Sequence, residues 1–193
     1  MNDFIFYFKM GLFHVLDIKA YDHILFLIVL AVVYEFIHWK KVLWLITLFT
    51  IGHSITLALS AYGVLKIDVD LVEFLIPLSI FITGLMNVLT ASKASVGKEN
   101  QNLFFALFFG LIHGLGFSNY FKIMIGKTSD KLIPLLEFAG GVEAAQIIIV
   151  LTILLIGTLT QSIFNVNRRD WILVVSSIVM GFAFQMMIDR IFW

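Results

Sequence analysis

The sequence has no cysteine and few charges, with Asp, Glu, Lys and Arg together making up only 13% of 193 residues. Each shortage removes a class of protein. Without cysteine there is no disulfide framework and no thiolate metal site. Soluble domains carry about a quarter of their residues charged, so this chain could not cover a soluble surface. Thirteen basic residues balance thirteen acidic ones, and no basic patch invites nucleic acid. No polar stretch is long enough to separate two domains, so residues 1–193 read as one. The ~10-residue alternating segments of a membrane barrel are also missing.

What is there is apolar. Hydrophobic residues make up 61% of the chain, 20 of them Phe, and mean hydropathy is +1.01. The expectation is an all-α integral membrane protein. Crossing the ~30 Å hydrocarbon core takes about 20 apolar residues. Runs of that kind predict six spans, at about 22–39, 42–63, 71–91, 103–125, 133–160 and 171–192. Residues 3–16 are too short to span and carry Lys9, so they read as a short N-terminal interfacial or re-entrant helix. With no basic stretch before Phe4 and no small-residue cleavage site, this segment does not read as a signal peptide.

Six spans put both termini on one side, here called side A. Lys40, Lys41, Lys93, Lys98, Arg168 and Arg169 fall on the opposite side, B. Lys9, Lys19, Lys66, Lys122, Lys127, Lys131 and Arg190 fall on A. The positive-inside rule nearly ties on these counts. The three compact B-side clusters favour B as the cytoplasmic face, with both termini outside.

Ionisable residues deep in lipid are costly and mark function. Counted by depth, they gather in the A-side half. Asp22-His23 opens the first span. His53, in Gly52-His-Ser-Ile-Thr56, lies roughly 15 Å from side A at 1.5 Å per residue. Glu73 lies just inside the third span and His113 midway along the fourth, and Glu143 is again roughly 15 Å deep. Gln185 and Asp189 return near the A end of the sixth. The pattern predicts a cavity opening to side A and ending near mid-membrane. Two successive units, His53 to Glu73 and His113 to Glu143, suggest a weak parallel repeat of the kind found in transporters.

Asp22 also suits a helix N-cap. Ser54 and Thr56 flank His53. Gly114 and Gly116 leave room beside His113 or let helices approach closely. Glu143 and Gln146 share a helix face. The polar lining expected is Ser54, Thr56, Gln146 and Gln185. Imidazole with carboxylate and no sulfur suits nickel, zinc, iron or cobalt. The same groups could relay protons.

Gly11-x-x-His14, Tyr21-Asp-His-Ile-Leu-Phe-Leu27, Gly52-His-Ser-Ile-Thr-Leu57, Val72-Glu73, Gly110-Leu-Ile-His-Gly-Leu-Gly-Phe117 and Gly141-Val-Glu143-x-x-Gln146 together resemble the HupE/UreJ family of bacterial membrane proteins. The match runs from about residue 11 to 150 in order. Ala20 stands where the family usually has Gly, so the chain looks like a divergent branch. The resemblance implies a nickel-type permease of the bacterial inner membrane. It implies His14, Asp22 and His23 as an entrance signature, with His53, Glu73, His113 and Glu143 as further ion contacts.

The leading expectation is therefore transport of a divalent transition metal, with the metal ion and the lipid bilayer as partners. A homo-oligomer is compatible with it. The alternative is an intramembrane zinc hydrolase using Asp22, His23, His53, Ser54 and His113. A third reading makes the chain a membrane subunit whose polar groups are only interhelical contacts.

Overall fold

The computed structural model describes residues 3–18, 21–65, 68–92, 99–126 and 131–192. The loop residues Lys19, Lys66, Lys93, Lys98 and Lys127, counted above for orientation, lie outside them, as does Ala20. The described residues are helical, with no strand among them. In chain order the helices are α1 (Asp3–Leu16), α2 (Asp22–Ala31), α3 (Trp39–Ala61), α4 (Val69–Thr90), α5 (Glu99–Ile125), α6 (Leu132–Ile163) and α7 (Arg168–Asp189).

Among the described residues five helices are long and apolar enough to cross a membrane, α3 to α7. The expected first span divides. Its ten-residue start, α2, rises about 15 Å, half the hydrocarbon thickness. The chain then turns through residues 32–34, and a short 3₁₀ turn, Phe36–His38, leads into α3. Seven of the ten residues of α2 are buried. A helix that is apolar all round belongs inside protein, and α2 is enclosed by longer helices. Arg168 fixes the turn after it, donating to the Val33 carbonyl at 2.7 Å and pairing with Glu35 at 3.3 Å.

Two close helix pairs form the frame, and glycines build them. In α3 against α5, a Cβ on Gly52 would lie 2.4 Å from the Leu107 carbonyl oxygen. One on Gly110 would lie 2.3 Å from that of Phe49, and one on Gly114 2.2 Å from that of His53. Lipid offers no hydrophobic force between helices, so small residues that let backbones touch supply the packing. Thr56 adds a hydrogen bond across the seam to the Leu111 carbonyl at 2.9 Å. The helix α1 meets α6 in the same way, Gly11 against the Phe138 carbonyl and Gly141 against that of Phe8. It is thus docked to the bundle along one side.

The helix α4 is capped by Asp68, whose carboxylate accepts from the Leu71 amide at 3.3 Å. It continues through Pro77, which has no N–H for the carbonyl four residues earlier. That carbonyl belongs to Glu73, and it accepts from Arg190 Nη1 at 3.2 Å, at the end of α7. On the same side of the bundle Lys131 donates to the Ala61 carbonyl at 2.7 Å.

Candidate metal site

Among the chain's five histidines, four converge. The glycine crossings place them. Gly52 and Gly114 bring the backbones of His53 and His113 against the α3–α5 seam. The α1–α6 contact at Gly11 delivers His14 from a helix too short to span. His23 enters at the start of buried α2. The ring centroids of His14 and His23 are 4.6 Å apart, and each lies 5.9 Å from His53. His23 and His113 are 5.1 Å apart. The fifth, His38, sits in the 3₁₀ turn before α3.

His14, His23 and His53 can offer one ring nitrogen each, all within 4.8 Å of one another. His23 and His53 are buried. His23 Nε2, His14 Nε2, His113 Nδ1 and both nitrogens of His53 are buried without a hydrogen-bond partner among the described residues. Buried polar atoms are nearly always satisfied. A group of orphaned imidazole nitrogens facing one another is the geometry a cation with nitrogen ligands would complete.

Asp22 does not join the three histidines as an equal. Its Oδ1 lies 3.0 Å from His23 Nδ1 and accepts the His23 amide at 2.8 Å. Its other oxygen is 4.0 Å from Arg190. A carboxylate on one imidazole nitrogen fixes the tautomer and aims the other nitrogen at a metal. Aromatic rings hold the remaining imidazoles. Phe117 lies 3.9 Å from His14, and Phe138 packs on both His14 and His53.

A cavity of about 840 Å³ reaches this cluster, its wall including Lys9, His14, Asp22, His23, Glu73, His113, Tyr120 and Arg190. Glu73, Tyr120 and Arg190 belong to the A-side ends of α4, α5 and α7, so the cavity opens where the depth count expects.

Other expected residues are placed elsewhere. Glu143 is bonded to α3, accepting from Thr47 at 2.6 Å and also from Thr50. Gln146 joins Thr50 at 3.0 Å. Neither lines the cavity. The α6 face that carries them is turned to Thr47 and Thr50 of α3. Thr56 is taken up by the helix seam and Ser54 is half-buried outside the cavity wall. Gln185 is exposed, donating to Asp189 at 2.9 Å. His113 is next to the cluster, its Nε2 3.3 Å from Ser79 Oγ.

Sequence reasoning missed Arg190, Ser79, Thr47 and Thr50. Arg190 at a helix end reads as a cation reaching for the interface. Ser and Thr inside a membrane helix read as bonding their own turn, as Ser79, Thr47 and Thr50 also do.

The family model described as HupE / UreJ protein matches residues 1–190. No curated protein and no solved structure matches the chain.

Proposed function

Because the chain belongs to the HupE/UreJ family, we propose that this multi-pass membrane protein is a permease for a divalent transition metal of the nickel or cobalt type, seated in a cell inner membrane. The observation that carries the reading is the trio His14, His23 and His53 with facing unpartnered nitrogens, two of which, His14 and His23, line a cavity open to side A.

The ion is the substrate. It enters the cavity hydrated, past Glu73 and Asp22, whose charges offset those of Lys9 and Arg190. At the cluster it exchanges water for imidazole. Neutral imidazole without thiolate suits nickel, cobalt and zinc. Three ligands leave coordination positions for water, so the ion is bound and still able to leave. His113 is the next nitrogen along α5. Asp22 acts through His23, and Glu143 with Gln146 ties α6 to α3.

The test is Ni²⁺ and Co²⁺ flux into sealed vesicles containing the purified protein. His53→Ala should abolish uptake and His38→Ala should leave it intact. Equal uptake by both variants and the parent would overturn the proposal. So would a stoichiometric zinc ion that survives purification and supports lipid or peptide hydrolysis without flux, which is the behaviour of the hydrolase alternative.

A further inference from the structure

A second cavity, of about 290 Å³, lies on the other side of the histidines. Its wall includes Tyr34, in the turn after α2, and Asn87, Thr90 and Asn102, near the B-side ends of α4 and α5. The same three helices line both cavities in the same order. On α2 the wall passes from His23 to Leu30. On α4 it passes from Ile76 to Thr83, and on α5 from His113 to Phe109.

Aromatic rings lie between the two cavity walls. The buried ring of Phe26 lies 5.2 Å from His113, 4.9 Å from Phe49 and 5.8 Å from Phe109. Phe109 is itself in the wall of the second cavity, one helical turn before His113.

Around this layer runs a polar stripe. Ser79, Thr83, Asn87 and Thr90 recur at i, i+4, i+8 and i+11 on α4, which places them on one helix face. The stripe begins 3.3 Å from His113 Nε2, at Ser79 Oγ. Thr83 donates to the Ser79 carbonyl at 2.8 Å and Thr90 to that of Met86 at 2.6 Å. Each hydroxyl uses its proton on a backbone carbonyl, which leaves its oxygen lone pairs for a cation. Asn87 is buried, and its amide donates to the Val29 carbonyl at 2.7 Å. Thr83, Asn87 and Thr90 of the stripe lie in the wall of the second cavity, and Ser79 links the stripe to His113.

We propose that the second cavity is the exit vestibule of the permeation path. A partly hydrated divalent cation passes from His113 to the oxygens of Ser79, Thr83 and Asn87 once the Phe26 and Phe109 rings swing aside. Oxygen is the weaker partner for nickel-type ions than imidazole. A path must bind well enough to admit an ion and weakly enough to release it, and this order of ligands does so. The structure is then the state open to side A and closed to side B. The inference rests on the transport reading above.

The absence of cysteine makes the test direct. Thr83→Cys and Tyr120→Cys, in sealed vesicles, are each exposed to a membrane-impermeant maleimide from either side and to a lipid-soluble one. Thr83→Cys should react with the impermeant reagent only from the side opposite to Tyr120→Cys. Its modification should cut Ni²⁺ flux by about tenfold or more, the loss of at least one ion contact, while Ni²⁺ binding is retained. Retained binding also shows that the variant is folded, and Thr90→Cys replaces it if it is not. Reaction from the Tyr120 side overturns the proposal. Reaction only with the lipid-soluble reagent does so too, since the cavity would then be a lipid-filled crevice. If modified Thr83→Cys carries full flux while His53→Ala carries none, the exit path alone is refuted. If the parent protein carries no flux, the transport reading falls and this one with it.

Discussion

At the scale of single residues, the site is defined by what each imidazole lacks. His53 has two buried nitrogens and no partner among the described residues, whereas His23 has one nitrogen held by Asp22 and one free. The two residues therefore fail differently when disturbed. On the proposed transport reading, removing the His53 ring removes a ligand. Asp22→Asn keeps the size of the side chain but weakens the bond that orients His23. Loss of such an outer partner typically costs 10–100-fold in metal affinity, by the order of magnitude seen at metal sites generally. We expect that fall for Ni²⁺ in a calorimetric titration of purified Asp22→Asn; an affinity equal to the parent's would show that Asp22 does not orient the ligand. His53, His113 and Asp22-His23 were legible in the sequence because an ionisable group in an apolar run is rare. Glu143 was legible as unusual but not as to its partner. Nothing in the chain before Thr47 and Thr50 indicates that α6 turns Glu143 towards α3.

At the scale of elements, the glycines decide where helices can meet. A methyl on Gly52 or Gly110 would have to enter the backbone of the facing helix, which has no rotamer to change. Forced overpacking of this sort costs about 1–3 kcal/mol. A methyl on Gly181 meets nothing within 4 Å, and replacing a helical glycine by alanine gains up to about 1 kcal/mol. Thermal unfolding in detergent should therefore show Gly52→Ala and Gly110→Ala well below the parent and Gly181→Ala at or slightly above it. Equal losses at all three positions would mean that the α3–α5 seam is not the critical contact. The five long helices were legible because an apolar run of about 20 residues has one usual meaning. The division of the expected first span was not. The run from Ile24 to Ile37 stays apolar except at Tyr34-Glu35, and no Gly or Pro marks the end of α2. Hydropathy measures how much apolar chain there is, and cannot show that half of it is enclosed by other helices.

At the scale of the whole molecule, the cluster draws on four helices: α1 brings His14, α2 His23, α3 His53 and α5 His113. An ion bound there cross-links elements that otherwise meet mainly in pairs. Binding to the folded state alone stabilises it by about 2.7 kcal/mol at a hundredfold excess over Kd. Saturating Ni²⁺ should raise the unfolding midpoint of the parent by several degrees and leave His23→Ala unmoved; a rise of the same size in both would place the ion elsewhere. The α3–α5 seam has a consequence for the membrane around it. A bilayer thicker or thinner than a helix is matched by tilting, and helices joined backbone to backbone tilt as one body. The distance from His53 to His113 should thus be insulated from lipid chain length. Measured in short-chain and long-chain vesicles, Ni²⁺ affinity should stay constant while the transport rate, which needs helices to move past one another, varies; an affinity that follows lipid thickness would show that the seam yields. The glycines that admit the ligands to one site would then also serve as its gauge, keeping the ion's surroundings the same in any bilayer that holds the protein.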